Sequence, residues 1–161
     1  MLCSLLESGE LAKHITHTLC PAYHKRWAAM MAEIEAILLP LGITVVKGAD
    51  SKTAGGYFIW LTLPDNLHGQ AADVVKFCLD KENLIVGGGK LFQVPGDEGV
   101  RFDDNIRLSF AWEAEDELVD GVKRLGRCVD RLLRSDKGLS NGDSTAELSQ
   151  SHRGQGVDAY A

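Results

Sequence analysis

Residues 105–133, NIRLSFAWEAEDELVDGVKRLGRCVDRLL, carry the most regular hydrophobic pattern in the chain. The first seven residues alternate as in a strand, so that Ile106, Leu108 and Phe110 share one face of a sheet. Further on, apolar residues recur at helical spacing, which predicts a helix over roughly residues 113–133. Acidic residues open this helix and arginines close it, in keeping with the helix macrodipole. Its apolar stripe consists of Leu118, Val122, Leu125, Val129 and Leu132.

Three further helices and three further strands are predicted upstream of this segment. The helices cover roughly residues 8–19, 22–38 and 69–81, and the strands cover residues 43–46, 57–63 and 84–86. The order is then helix-helix-strand-strand-helix-strand-strand-helix. Helices on one face of a small, mostly antiparallel sheet form a two-layer α+β sandwich. We predict one such domain over residues 1–134, followed by a disordered tail over residues 135–161, which is rich in Ser, Gly, Asp and Gln.

The overall charge argues against several classes of partner. The 161 residues include 17 Lys and Arg against 23 Asp and Glu, a net charge of -6, which disfavours nucleic-acid binding. No apolar run reaches the roughly 20 residues that a membrane span needs, and the first residues do not form a credible secretory signal. Four widely spaced cysteines without a C-x-x-C pair are interpreted as reduced core thiols. We therefore predict a cytoplasmic protein without membrane or nucleic-acid partners.

Two patterns suggest ligand chemistry but lack the residues for it. The glycine triplet 87–89 precedes Lys90, yet the flanking residues do not match a phosphate-binding loop or a dinucleotide fingerprint. It is interpreted as a flexible turn that another chain or a ligand approaches closely. His14 and His17 lie one helical turn apart, but no neighbouring side chains complete a metal site. We predict that these histidines are solvated and that the chain has no metal site.

Arg107 is the candidate for ligand binding. It lies in the middle of the predicted strand, on the face opposite the apolar residues. An arginine in this setting is costly to bury unless an anion pairs with it. Residue type alone favours an internal ion pair with Asp103 or Asp104, or simple exposure to solvent. A planar guanidinium is also the preferred bidentate partner of a substrate carboxylate, so that role remains open.

Four segments together resemble the carboxyl-terminal domain of class I/II aminotransferases, the fold-type I pyridoxal-phosphate enzymes, in particular the aminoadipate and aromatic aminotransferases. The resemblance covers roughly residues 7–133, in the correct order. The segments are Tyr23-x-x-Arg26, the stretch GGYFIWLTLP at residues 55–64, Val86-x-Gly88-Gly89-x-x-Phe92, and IRLSFA at residues 106–111.

The resemblance implies roles for four residues. Arg107 would bind the α-carboxylate of an amino-acid or 2-oxo-acid substrate, and Phe92 would lie near the substrate side chain. Gly55 and Gly56 would allow the small domain to approach the active site. The family usually has Pro-Gly where this chain has Gly88-Gly89, and the loss of that proline is expected to loosen the loop.

The resemblance does not extend to the family's catalytic lysine or to its cofactor-binding residues. None of the nine lysines lies in the sequence setting of the family's Schiff-base lysine. Pyridoxal phosphate is therefore implied by resemblance only, and no catalytic or cofactor-binding residue is predicted. We expect a truncated aminotransferase that is inactive alone because its large domain is absent. The expected partners are the substrate carboxylate and either the missing large domain or a full-length subunit. The alternative is a stand-alone carboxylate-binding or subunit-interaction module.

Overall fold

A computed structural model describes residues 2–46, 56–97 and 99–140. Within these ranges the chain forms helices and strands that follow the predicted order closely. The helices are α1 (Leu2–Glu7), α2 (Glu10–His14), α3 (Cys20–Glu33), α4 (Ala71–Glu82) and α5 (Glu115–Ser140). The strands are β1 (Thr44–Val45), β2 (Phe58–Thr62), β3 (Gly87–Gly88) and β4 (Asn105–Ser109). No helix in the described ranges is long and apolar enough to cross a membrane.

The four strands form one antiparallel sheet in the order β1-β2-β4-β3. Strand β4 is therefore an inner strand, with β2 on one side and β3 on the other. Helices α3 and α4 both pack against α5, and the three helices share one hydrophobic core with the sheet. The predicted two-layer α+β sandwich is confirmed.

Alternation along β4 determines which face of the sheet contacts the helices. Ile106, Leu108 and Phe110 are buried in the core, whereas Arg107 is only partly buried and Ser109 is exposed. The predicted division of this strand into two faces is confirmed. The predicted apolar stripe on α5 is also confirmed. Leu132 is partly buried and packs against the core, and the other four residues are buried: Leu118, Val122, Leu125 and Val129.

The sequence predicts that the first helix stops or kinks before Pro21, and the structure shows that it does not stop there. The residues on either side of the first π-helical turn, His14 and Cys20, have right-handed helical backbone angles, so the helix continues through Ile15–Leu19 into α3. Proline lacks the N–H that an α-helical hydrogen bond would use, and it lies in the first turn of α3, directly after the π-turn. The wider turn accommodates this missing donor, so Pro21 does not end the helix.

Two element boundaries also differ from prediction. The third strand is predicted at residues 84–86, but β3 comprises Gly87–Gly88. These two glycines, rather than the residues before them, pair with β4. Helix α5 continues to Ser140, past the predicted start of the tail. Residues 141–161 lie outside the described ranges, so the disordered tail and the 134/135 boundary remain predictions.

Candidate functional site

Arg107 occupies the middle of the outer face of the sheet. Its backbone is in register with Trp60 of β2 and with Gly87 of β3. The helices cover the opposite face, so the arginine side chain projects from the open face. This placement follows from the period of two along β4, which sends its branched neighbours into the core.

Two aromatic rings contact the guanidinium of Arg107. Its Cζ atom lies 3.8 Å from the ring centroid of Phe58 and 3.5 Å from that of Phe92. Phe58 belongs to β2, and Phe92 ends the short 3-10 helix that follows β3, so one ring comes from a neighbouring strand and the other from the segment after β3. Arginine stacks well on aromatic rings because its guanidinium is planar and weakly hydrated.

The charged N–H groups of Arg107 have no anionic partner in the part of the chain that the structure describes. Within residues 2–46, 56–97 and 99–140, Arg107 forms no ion pair and no side-chain hydrogen bond. Asp104, one of the two predicted partners, instead contacts Nε2 of His68 at 3.2 Å and accepts a hydrogen bond from the N–H of Gly69. The prediction of an internal ion pair with Asp103 or Asp104 is therefore not met among these residues.

The ring of Phe92 reaches Arg107 because Gly87 carries no side chain. A Cβ atom on Gly87 would lie 3.3 Å from two atoms of that ring. Trp60 supports the same cluster from the outer face of β2, with its ring centroid 5.6 Å from that of Phe92. A Cβ atom on Gly89 would approach the carbonyl oxygen of Phe102 within 2.3 Å. The groups that approach the glycine triplet are thus other segments of this chain, and the approach of another chain or a ligand stays a prediction.

Arg107 and Phe92 also line a groove with a cavity volume of about 550 Å³. The groove begins at the β3 edge of the sheet and reaches the start of α5. Its wall includes the exposed apolar side chains of Ile85, Leu91 and Trp112. Glu113 and Glu117 contribute the negative charge of the wall.

The structure brings together two of the four residues singled out from the sequence. Gly56 has φ +78°, an added Cβ there would meet no described atom within 4 Å, and the residue is not among those that line the groove. Gly55 lies outside the described residues. Sequence reasoning missed Phe58, although it lies two residues before Trp60 and so on the same face of β2. It also missed the five wall residues named above, which lie in loops, in the 3-10 helix after β3, or in the first turn of α5.

The Tyr23-x-x-Arg26 segment anchors α3 near this site. Nη1 of Arg26 donates a hydrogen bond of 3.2 Å to the carbonyl oxygen of Ala111, just beyond β4. The ring of Tyr23 meets that of Tyr57 edge to face, with centroids 5.0 Å apart, just before β2. The segment therefore ties the helix to adjacent ends of the two strands that carry Phe58 and Arg107.

Other candidate chemistry is sparse. Within the described part of the chain, no group of three or more His, Cys, Asp and Glu residues could hold a metal ion. His14 and His17 are both exposed, and Nδ1 of His17 lies 2.9 Å from the carbonyl oxygen of Lys13. Cys78 and Cys128 are buried as predicted, whereas Cys20 is exposed, so the prediction of core thiols is wrong for Cys20. The outer sheet face and its groove therefore remain the candidate site.

Comparison with known proteins gives no matching family model. The chain is 32% identical to a 2-aminoadipate transaminase of Thermus thermophilus over 83 aligned residues. These residues make up 52% of this chain and 19% of that protein. It is 30% identical over 132 residues to an aromatic-amino-acid aminotransferase of Thermococcus litoralis, covering 80% of the chain and 28% of that protein. The chain thus spans less than a third of the length of these relatives.

A solved structure shows the same relationship. The kynurenine aminotransferase of Pyrococcus horikoshii superposes with a TM-score of 0.65 at 28% identity, covering 80% of this chain and 28% of that one. The matched part of these enzymes is their carboxyl-terminal region.

Proposed function

Because the chain resembles the carboxyl-terminal small domain of fold-type I aminotransferases in sequence and fold, we propose that it binds the carboxylate of an amino acid or a 2-oxo acid through Arg107. In this proposal the domain is the substrate-orienting part of an amino-group transferase. It supplies one charged contact and one wall of the binding site, and the transfer chemistry depends on groups outside it.

The observation that carries the proposal is the setting of the Arg107 guanidinium. The rings of Phe58 and Phe92 contact it at 3.8 and 3.5 Å, and no carboxylate of the described residues pairs with it. Its N–H groups lie in one plane, an arrangement that matches the two oxygens of a carboxylate. Arg107 is among the residues that line the groove, so we expect a carboxylate that enters there to accept hydrogen bonds from the guanidinium.

Pyridoxal phosphate is the cofactor implied by the resemblance, and it acts by forming an imine with a lysine amine. The described residues do not fit that requirement. Six lysines have described side chains, all six are exposed, and none lines the groove; they are Lys13, Lys25, Lys76, Lys81, Lys90 and Lys123. We therefore assign no reaction step to this chain and propose that it does not transaminate alone.

A second candidate function is docking to an aminotransferase large domain or to a full-length subunit. Three large apolar side chains that line the groove are strongly exposed: Ile85 at 85%, Leu91 at 78% and Trp112 at 86%. Exposed apolar side chains gathered at one groove are typical of interaction surfaces. This role is compatible with carboxylate binding, since a partner could close the groove over a bound substrate.

Calorimetric titration with 2-oxo acids tests carboxylate binding. We expect Arg107→Ala to weaken binding at least about tenfold, because a charge-assisted hydrogen bond is lost. Arg107→Lys retains the charge but loses the planar fork, so we expect it to bind more weakly than wild type. Arg101→Ala, which removes an exposed arginine outside the groove, is the matched control. Equal binding by wild type and Arg107→Ala would refute the proposal.

Two further measurements address catalysis and docking. Borohydride reduction after mixing with pyridoxal phosphate should label no single lysine, and no 2-oxo acid should form from an amino-acid panel.

Light scattering over a concentration series should show self-association that Trp112→Ser reduces, because the exposed ring contributes apolar contact area. A strictly monomeric wild type at high concentration would count against the docking role.

A further inference from the structure

The groove beside Arg107 carries an unequal distribution of charge. Arg107 is the one cationic side chain among the described residues that line it, whereas two carboxylates, Glu113 and Glu117, belong to the same wall. The rest of the lining is almost entirely apolar. A ligand in this groove therefore meets one site for an anion, two repulsive charges and a hydrophobic surface.

The two glutamates line the groove, and no cation of the described residues pairs with them. Both are exposed, and neither forms an ion pair with any described residue. Their neighbour Glu115 differs, because its Oε1 atom lies 2.9 Å from Nζ of Lys25 and it does not line the groove. The negative charge of Glu113 and Glu117 is thus available to act on a ligand.

The apolar part of the wall is accessible as well. Ile85, Leu91 and Trp112 expose most of their surface although they lie next to a charged site. An apolar ligand segment placed against them removes apolar surface from water on both sides, and each buried methylene strengthens binding roughly fourfold. A second carboxylate in the same place would find no cationic partner among the described residues around it and would lie near two like charges.

Resting on the proposed carboxylate role of Arg107, we infer that the groove selects monocarboxylates with an apolar remainder, such as branched-chain or aromatic 2-oxo acids, and discriminates against 2-oxodicarboxylates. Arg107 provides the affinity for the carboxylate that both classes share. Ile85, Leu91 and Trp112 favour the apolar remainder, and Glu113 and Glu117 repel a second carboxylate. Selectivity and carboxylate binding thus depend on different residues of one groove.

The test compares 4-methyl-2-oxopentanoate with 2-oxoglutarate by calorimetry at low ionic strength, where exposed charges are least screened. In the wild-type chain we expect the monocarboxylate to bind about tenfold more tightly. In Glu113→Gln/Glu117→Gln we expect the affinity for 2-oxoglutarate to rise roughly fivefold, in line with close like charges in water, and that for 4-methyl-2-oxopentanoate to change less than twofold. Asp116→Asn, in the same turn but outside the groove, should leave both affinities unchanged.

A variant of the apolar wall provides an independent measurement. Leu91→Ser should weaken binding of 4-methyl-2-oxopentanoate several-fold and leave 2-oxoglutarate nearly unaffected, and its 78% exposure argues against a folding defect. Equal or tighter binding of 2-oxoglutarate by the wild type, or an equal rise for both ligands in the double variant, would overturn the inference. Either result would leave Arg107-dependent binding intact. If neither ligand binds in an Arg107-dependent way, the proposed function itself fails.

Discussion

Gly87 lies directly against the ring of Phe92, the same ring that contacts the guanidinium of Arg107. A Cβ atom on Gly87 would lie 3.3 Å from Cε2 and from Cζ of Phe92, and equally close to the carbonyl oxygen of Arg107. These separations are shorter than comfortable carbon–carbon contacts, so either the ring or the strand would have to move. The position of one half of the arginine's aromatic stack therefore depends on a glycine of the edge strand.

We predict that Gly87→Ala weakens carboxylate binding several-fold by displacing Phe92 from Arg107. Gly88→Ala is the matched control, because its added Cβ would lie 3.5 Å from Cγ2 of Val75, an ordinary contact. Titration of both variants with a 2-oxo acid measures the difference. Equal loss of affinity in the two variants would show that the edge strand tolerates neither change and that Phe92 is not the cause.

A second pair of glycines tests the packing between α5 and the helical segment before β1. A Cβ on Gly126 would lie 2.4 Å from Cγ2 of Ile37, whereas a Cβ on Gly121 would meet Cδ1 of Leu84 at 3.7 Å. We expect Gly126→Ala to lower the free energy of unfolding by about 1–3 kcal/mol through overpacking. Gly121→Ala should raise it by about 0.5–1 kcal/mol, because alanine restricts the unfolded chain and suits a helix. Urea denaturation of both variants checks the opposite signs.

The pH dependence of stability should include a contribution from Glu82. Nη2 of Arg127 donates a hydrogen bond of 2.6 Å to Oε2 of Glu82, and Nη1 of Arg131 lies 3.2 Å from Oε1. This hydrogen bond, aided by the charges of Arg127, Arg131 and Arg124, holds the pKa of Glu82 below its ordinary value of 4.5. A carboxyl group whose pKa is lowered by folding stabilises the fold above its unfolded pKa, and loses this effect as the pH falls through the folded pKa.

We therefore expect Glu82→Gln to lower the urea midpoint at pH 7 and to approach wild type as the pH falls below about 4.5. Asp80→Asn, on the same helix and exposed, should show no such convergence. Denaturation curves between pH 3 and 7 measure the two differences. A midpoint difference between Glu82→Gln and wild type that does not change with pH would contradict the assignment to Glu82.

The buried thiols should be protected from alkylation. Burial raises the pKa of Cys78, and the neighbouring Cys128 adds to the rise; burial also raises the pKa of Cys128. Since the thiolate is the reactive form, both should react with iodoacetamide only when the chain unfolds, whereas Cys20 is exposed and should react readily. Mass spectrometry of the wild-type chain reports the labelling of Cys20, and a Cys3→Ser/Cys20→Ser variant with and without urea isolates the response of Cys78 and Cys128. Rapid labelling without urea would contradict the buried arrangement.

Sequence patterns were sufficient to predict which faces of the strands and helices are buried. They were not sufficient to predict which side chains contact Arg107. The period of two along β4 and the stripe along α5 both predicted which residues are buried, because burial is the dominant constraint on each. The contact of Arg107 with Phe58 depends on the register between β2 and β4, which places Phe58 opposite Ser109. Alternation determines the face on which each residue lies, but a shift of the register by two residues would keep that face and separate Phe58 from Arg107.

The helical boundary at Pro21 and the groove show other reasons for failure. Proline normally signals the end of a helix, and the π-turn that accommodates it here leaves no mark in the hydrophobic pattern. Trp112 and Leu91 lie in different segments and meet at the groove through the path of the chain. Their individual sequence contexts resemble those of ordinary surface residues.

The aromatic contacts of Arg107 also determine when the side chain becomes ordered. A free arginine side chain carries about 2 kcal/mol of rotational entropy, which a binding event would ordinarily remove. The rings of Phe58 and Phe92 impose much of that restriction during folding, before any ligand arrives. An incoming carboxylate then meets a preorganised fork, and more of the hydrogen-bond energy is expressed as affinity. A lysine has no planar group to stack on the rings and would remain flexible. Binding of a carboxylate therefore depends on Arg107 and on the two rings together.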